Sequence, residues 1–217
     1  MESYKTQSGE IDITVFGHSS LMIQWNGRNI YADPWSDVRS FKGLPKGDLF
    51  LITHDHFDHY DPDAIGDVEK KDSVFLVSRT MGGIDPRYKV LKNGDAVDLF
   101  DGKLHVQAVP AYNIKRHRPD GRPFHAKGDS NGYILSFGDF RIYIAGDTEE
   151  TPDMQYFPIV DIAFLPKDPV YTMSDEDFIA CANKFRPKYL YPYHCKEIDV
   201  PKLRRFLDTG ITLVVPK

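Results

Sequence analysis

Apolar residues along the first two thirds of the chain come in short runs of four to eight, often alternating with polar ones and broken by Gly, Asn and Pro. That period predicts strands rather than helices. Strands are expected over residues 11–16, 21–25 and 29–32, with Gly17-His18-Ser19-Ser20 separating the first two and Asn26-Gly27 making a hairpin between the others. Residues 49–53 form a continuous apolar run, the signature of a strand covered on both faces. Further strands are predicted over 73–77, 96–99, 104–109, 132–137, 141–145, 159–165, 189–193 and 211–215. Helical periodicity is rarer. It is clearest over 175–185, where Ser174 is placed to cap the helix and Phe178, Cys181, Ala182 and Phe185 share one face. Two more helices are expected over 62–69 and 201–208. Strands first and alternating strand and helix later suit two sheets packed face to face with helices outside. Residues 113–130 are the longest irregular stretch, rich in Arg, Lys, Gly, Pro and His, and read as a functional loop.

Composition narrows the picture. A chain of 217 residues that is 41% apolar can bury one sizeable core, so a single domain over 1–217 is expected. The formal charge of −5, with no long run of Lys and Arg, disfavours nucleic acid as a partner. Residues 1–10 are polar and mixed in charge, and no apolar stretch approaches the roughly 20 residues that span a bilayer. A cytoplasmic protein without membrane contact is therefore expected. Cys181 and Cys195 form no CxxC pair and are expected as buried free thiols.

Candidate chemistry concentrates in Thr53-His54-Asp55-His56-Phe57-Asp58-His59-Tyr60, directly after the buried strand over 49–53. Three of the eight histidines lie there within six positions. Imidazole and carboxylate hold zinc, iron or manganese, and a tight turn after a strand aims neighbouring side chains at one point. A solvated polar turn explains that density poorly. Asp147, in Ala145-Gly146-Asp147-Thr148, and His194 each stand where an apolar strand runs out, which repeats the same placement.

The order His54-x-His56-x-Asp58-His59, Gly146-Asp147-Thr148 and then His194 resembles the metal-binding signature of the metallo-β-lactamase superfamily and extends over nearly the whole chain. Gly17-His18-Ser19-Ser20, Asp33-Pro34-Trp35, Pro110-Ala111-Tyr112-Asn113 and Tyr171-Thr172-Met173 are similar to its small metal-dependent hydrolases and lactonase-like branch. The resemblance implies an α+β fold, a four-layer αββα sandwich of two mostly antiparallel or mixed sheets with helices outside. It also implies one more histidine ligand before Gly146. His105 falls within a strand, and His117 stands among Lys115, Arg116 and Arg118, whose charges oppose a cation. His125, shortly before the strand over 132–137, fits that position best, with His117 as the alternative. By the same resemblance, His54, His56 and His125 would hold one metal, Asp58, His59 and His194 a second, and Asp147 would bridge them. Two divalent ions are implied, zinc first, with iron or manganese as alternatives. Asp33 is similar to a carboxylate that braces the cluster turn, and His18 to a histidine at the mouth of the site that contacts substrate or supplies a proton. Tyr112, Lys167 and Tyr171 are weaker candidates, and Cys195 is left out of the metal shell.

The activity implied is hydrolysis of an ester, lactone, amide or phosphodiester bond of a small substrate by a metal-bound hydroxide, with Asp58 and His18 in catalytic roles. Two alternatives remain at this stage: a nucleic-acid phosphodiesterase similar to tRNase Z, and a metal-binding sensor without turnover.

Overall fold

The computed structural model describes residues 1–215 and holds two seven-stranded sheets. The first sheet runs in chain order through β1 (Glu2–Thr6), β2 (Gly9–Gly17), β3 (Ser20–Trp25), β4 (Arg28–Ala32), β5 (Leu49–Ile52), β6 (Val74–Val77) and β7 (Tyr88–Val90). The second runs through β8 (Ala96–Leu99), β9 (Leu104–Ala111), β10 (Ser130–Phe137), β11 (Phe140–Ile144), β12 (Ile162–Pro166), β13 (Tyr189–Tyr193) and β14 (Thr212–Leu213). Each sheet begins with antiparallel hairpins and ends with parallel strands. Where the sequence offers two-residue turns, the pairing is antiparallel: Asn26 (φ 47°) and Gly27 (φ 72°) sit between the paired Trp25 and Arg28, as a type I′ turn requires. Parallel pairing needs crossovers, and these carry the helices.

Three apolar layers hold the sandwich. Between the sheets lie Ile11, Ile13, Ile23, Leu49, Leu51, Val106, Leu135, Ile144 and Phe164. The outer face of the first sheet, including Phe50, Ile52 and Phe75, packs on α1 (Pro62–Val68) through Ala64, Ile65 and Val68. The outer face of the second packs on α2 (Asp175–Phe185) and α3 (Val200–Phe206) through Phe178, Cys181, Ala182 and Leu203. The run Leu49–Ile52 therefore alternates between two cores, which is why it reads as uniformly apolar. Side-chain oxygens of Asp61, Ser174 and Asp199 cap the three helices. The architecture is the α+β, αββα sandwich expected.

The departures are at edges. β1 reads as a polar segment because only Tyr4 of its five residues is buried, where its hydroxyl meets that of Tyr191 at 2.5 Å. β7 is a three-residue edge strand with two exposed positions, and it too lacks an apolar pattern. The strand expected over 159–165 starts only at Ile162, since Ile159 is 84% exposed after the short 3-10 helix Pro152–Tyr156. The strand expected over 211–215 shortens to Thr212–Leu213. Both cysteines are free, Cys181 buried as expected but Cys195 only half-buried, because it follows the end of β13.

The parallel strands β4 and β5 of one sheet and β12 and β13 of the other, with β11 parallel to them, set the site. Asp33 follows β4, Thr53 and His54 follow β5, Asp147 lies just past β11, and His194 follows β13.

Candidate metal centre

Past β5, the amide N–H groups of His59 and Tyr60 donate to the His56 carbonyl at 3.0 and 2.9 Å, coiling 54–60 into a single turn. The neighbouring chain ends are forced into the left-handed backbone region: His18 has φ 49°, Asp33 φ 41° and His194 φ 48°. Such conformations are costly for these residues and persist only where surrounding structure enforces them. His18 and His194 are joined directly, the His194 N–H donating to the His18 carbonyl at 2.9 Å.

The result is a compact cluster. One side-chain donor atom each of His54, His56 and His125 lie within 4.8 Å of one another, as do those of His18, Asp58, His59 and His194, and those of His54, His59 and Asp147. Asp147 stands between the groups. Its Oδ2 is 3.3 Å from His125 Nε2 and 3.2 Å from His194 Nε2, and its Oδ1 is 3.4 Å from His59 Nε2. At the mouth, His18 Nε2 lies 3.0 Å from Asp58 Oδ2.

Hydrogen bonds behind the cluster fix which nitrogen faces inward. The Asp33 carboxylate accepts from the Thr53 amide (2.9 Å), the Thr53 hydroxyl (2.7 Å) and His59 Nδ1 (2.7 Å), all buried. Because Thr53 Oγ1 donates to Asp33, it is left to accept from His54 Nδ1 at 3.0 Å. Asn113 Oδ1 accepts from His125 Nδ1 at 2.8 Å, while Asn113 Nδ2 donates to Glu149 and to the Tyr171 carbonyl. Each of these histidines thus carries a proton on Nδ1 and points Nε2 inward, the arrangement that second partners impose on metal-bound imidazoles.

Those inward atoms test whether the residues fit a metal. His54 Nε2, His59 Nε2, Asp147 Oδ1 and both ring nitrogens of His194 are buried and have no hydrogen-bond partner among the described residues. Buried polar atoms are seldom left so. Imidazole nitrogens and carboxylate oxygens converging within a few ångströms are a fitting donor set for divalent transition metals.

Charge in the metal-free cluster agrees. Burial, together with the neighbouring His59, holds His54 well below the usual imidazole range, and burial pushes His125 down to about 4. Both offer lone pairs at neutral pH. Burial would also raise Asp147, but His194 and His59 outweigh it and keep the carboxylate ionised. Burial likewise opposes protonation of His59 and His194, yet Asp147 lifts both, with Asp33 helping His59 and Asp58 helping His194, which rises to about 9. Protons there occupy the place of cations, and metal binding would release them.

Of the competing histidines, His125 joins the cluster. His105 lies on the exposed side of β9, 2.7 Å from Asp98, and His117 is exposed with Nδ1 donating to the Lys115 carbonyl. Tyr112 and Lys167 are engaged elsewhere, with Asp153 (2.7 Å) and Asp175 (2.6 Å). Cys195 belongs to none of the donor groups among the described residues. Asn113 and Glu149 had no assigned role in the sequence; the signal was Asn113 at a strand end in Pro110-Ala111-Tyr112-Asn113. The cluster floors a cleft of about 420 Å³ whose rim carries Phe57, Phe124, Tyr171 and Arg118.

Gly146 sets how closely Asp147 approaches. It has φ 65°, and an added Cβ would stand 2.8 Å from the Asn131 carbonyl and 3.1 Å from Thr53 Cβ. Gly146→Ala is expected to destabilise the fold by about 1–3 kcal/mol and to displace Asp147. Chemical denaturation checks this, and an unchanged midpoint would contradict it.

Fold and site together define a class. The family model of the beta-lactamase superfamily domain matches residues 12–194, and the chain belongs to that superfamily. Within it, the chain is 32% identical over 199 residues to a UPF0173 metal-dependent hydrolase of Lysinibacillus sphaericus, covering 85% of each chain, and it belongs to that group of metal-dependent hydrolases. A solved structure from Parabacteroides distasonis, described as a metal-dependent hydrolase, is 40% identical, covers 99% of this chain and 97% of its own, and superposes with a TM-score of 0.92. CmlA, a diiron β-hydroxylase from Streptomyces venezuelae, shares the fold at 17% identity and a TM-score of 0.70, with 94% of this chain and 52% of that one covered.

Proposed function

We propose that this protein hydrolyses an ester, lactone, amide or phosphodiester bond of a small substrate with a pair of divalent metal ions. The observation that carries the reading is the set of buried His54, His59, Asp147 and His194 atoms that have no hydrogen-bond partner among the described residues and converge from the ends of β5, β11 and β13, with His125 from the loop after β9 beside them. His54, His56 and His125 would hold one ion and Asp58, His59 and His194 the other, with Asp147 between them. Zinc suits this nitrogen-rich set, and iron or manganese would fit the same ligands. When bound, such a pair supplies ionised water near neutral pH and polarises the bond under attack.

The chain's own residues do the rest. Asp147, placed between the two donor groups, offsets the repulsion between cations. Asp33, Thr53 and Asn113 keep the Nε2 lone pairs of His59, His54 and His125 turned inward. Burial would raise Asp58, but the hydrogen bond with His18 and the His194 imidazole 3.7 Å away hold it well below the usual carboxylate range. It therefore stays ionised and able to accept a proton, while His18 Nε2, 3.0 Å away at the mouth, can hand one to the departing group. A cleft of about 420 Å³ suits a small molecule rather than a polymer. The same reading takes residues 1–217 as one hydrolase unit. It places the protein in the cytoplasm, supported by two free cysteines; no helix among the described residues is long and apolar enough to cross a membrane.

Generic aryl esters and bis-aryl phosphates test this in metal-replete protein. The double variant His56→Ala, Asp58→Ala is expected to lose at least about 100-fold in kcat/KM, since removing ligands of both ions costs several kcal/mol of charge stabilisation. Equal rates in parent and variant would remove the enzyme reading.

A further inference from the structure

We propose that Arg118 binds an anionic group of the substrate, a carboxylate or a phosphate, at the mouth of the cleft; this rests on the hydrolase reading above and names its substrate class. The cations of one loop are not paired alike. Lys115 pairs with Asp177 (2.7 Å), Arg116 with Asp177 (2.7 Å) and Glu149 (3.3 Å), Arg122 with Asp120 (2.7 Å), and Lys127 with Asp153 (2.9 Å). Among the described residues, Arg118 has no carboxylate within 4.0 Å. It is also the one of the five that lines the cleft with His56, Asp58, His125, Asp147 and His194.

Its position is fixed rather than incidental. The Arg118 N–H donates to the Arg122 carbonyl at 2.7 Å and the Gly121 N–H to the Arg118 carbonyl at 2.9 Å, closing a tight tip whose Gly121 has φ 85°. His117 and Pro123 bridge below it. At the base, the buried Glu149 carboxylate accepts backbone N–H groups of Ile114, Lys115 and Arg116 at 3.0, 2.7 and 2.8 Å. The guanidinium lies 5.6 Å above the Phe124 ring, and one of its five N–H donors reaches the Phe124 carbonyl at 3.3 Å. The remaining donors form a planar fork at the opening of the cleft, the geometry that matches carboxylate and phosphate oxygens.

Leaving one cation unpaired on a loop that neutralises every other suggests a partner that arrives with the substrate. Beside it, Phe124 and Tyr171 stand edge to face at 5.0 Å, and Phe57 is 76% exposed on the same rim. An exposed aromatic wall next to a free guanidinium fits a substrate with an apolar body and an anionic end. With divalent ions seated on the floor, the field across the opening would be positive and draw such a molecule in.

Equilibrium binding to metal-replete, full-length protein tests this without relying on turnover. The probes are phenylacetate, phenylphosphonate and neutral phenylacetamide, titrated into the parent and the Arg118→Ala, Arg118→Lys and Arg122→Ala variants. For Arg118→Ala, the affinity ratio of at least one anion to the amide is expected to fall about 10- to 100-fold, the scale of one bidentate charge-assisted pair. Arg118→Lys should restore part of that ratio, and Arg122→Ala, which removes the same charge from the same loop, should leave it unchanged. Which anion loses more distinguishes a carboxylate-bearing from a phosphate-bearing substrate. Equal losses for all three probes in Arg118→Ala, equal effects of Arg118→Ala and Arg122→Ala, or no preference of the parent for either anion would overturn the inference. Failure of the hydrolase reading shows separately, as undiminished turnover in the His56→Ala, Asp58→Ala protein.

Discussion

Asp147→Asn is expected to abolish metal retention and turnover together while the chain stays folded. Asp147 is the one carboxylate placed within 3.2–3.4 Å of His125, His194 and His59, which belong to both donor groups. An amide of the same shape keeps the packing at a position that is 3% exposed, so the loss is electrostatic. It removes the charge that would offset two cations and, in the metal-free protein, the charge that lifts His59 and His194. Several kcal/mol of charge stabilisation correspond to a fall in kcat of about 10³-fold or more. Elemental analysis, rates on aryl esters and near-ultraviolet circular dichroism of the same preparation check the three parts. A folded variant with parental metal content and rate would contradict the bridging role.

The second large effect is expected one step behind the ligands. Asp33 is fully buried, and its two oxygens serve the Thr53 amide, the Thr53 hydroxyl and His59 Nδ1. In Asp33→Asn one oxygen becomes an N–H donor. If it faces His59, the imidazole must accept at Nδ1 and carry its proton on Nε2, where the lone pair toward the metal should be. If it faces Thr53, a buried amide loses its acceptor. Either way metal affinity should fall about 10- to 100-fold, as for other partners of metal-bound histidines. Stability should fall by about 3–5 kcal/mol, the scale of breaking a buried charged network. Chelator competition and denaturant titration measure the two effects. Parental affinity would show that His59 needs no orienting carboxylate.

Much of this site is legible in the chain because the fold places it at strand ends. His54, His56, Asp58 and His59 stand within six positions, so one turn gathers them and one glance at the sequence finds them. Asp147 and His194 are legible as polar residues where apolar strands stop, and parallel pairing of β11, β12 and β13 brings those stops to a common edge. His125 is harder. The cations flanking His117 and the strand that follows His125 favour His125 only weakly in sequence; the stronger distinction is Asn113, twelve residues earlier, which accepts its N–H groups, and that contact exists only once the loop is folded. Arg118 was hidden for the same reason. In sequence it is one cation among five, and its isolation emerges only when Asp177, roughly sixty residues away, neutralises Lys115 and Arg116. The edge strands β1 and β7 escaped because an edge strand can be largely exposed and need not show an apolar run.

The central claim is that two divalent ions occupy the space enclosed by these imidazoles and carboxylates. Elemental analysis of metal-stripped protein, equilibrated with a small excess of zinc over two equivalents and then freed of unbound ion, tests it most directly. Close to two ions per chain are expected, falling well below one in Asp147→Asn. Protein that retains no divalent ion under those conditions would contradict the account.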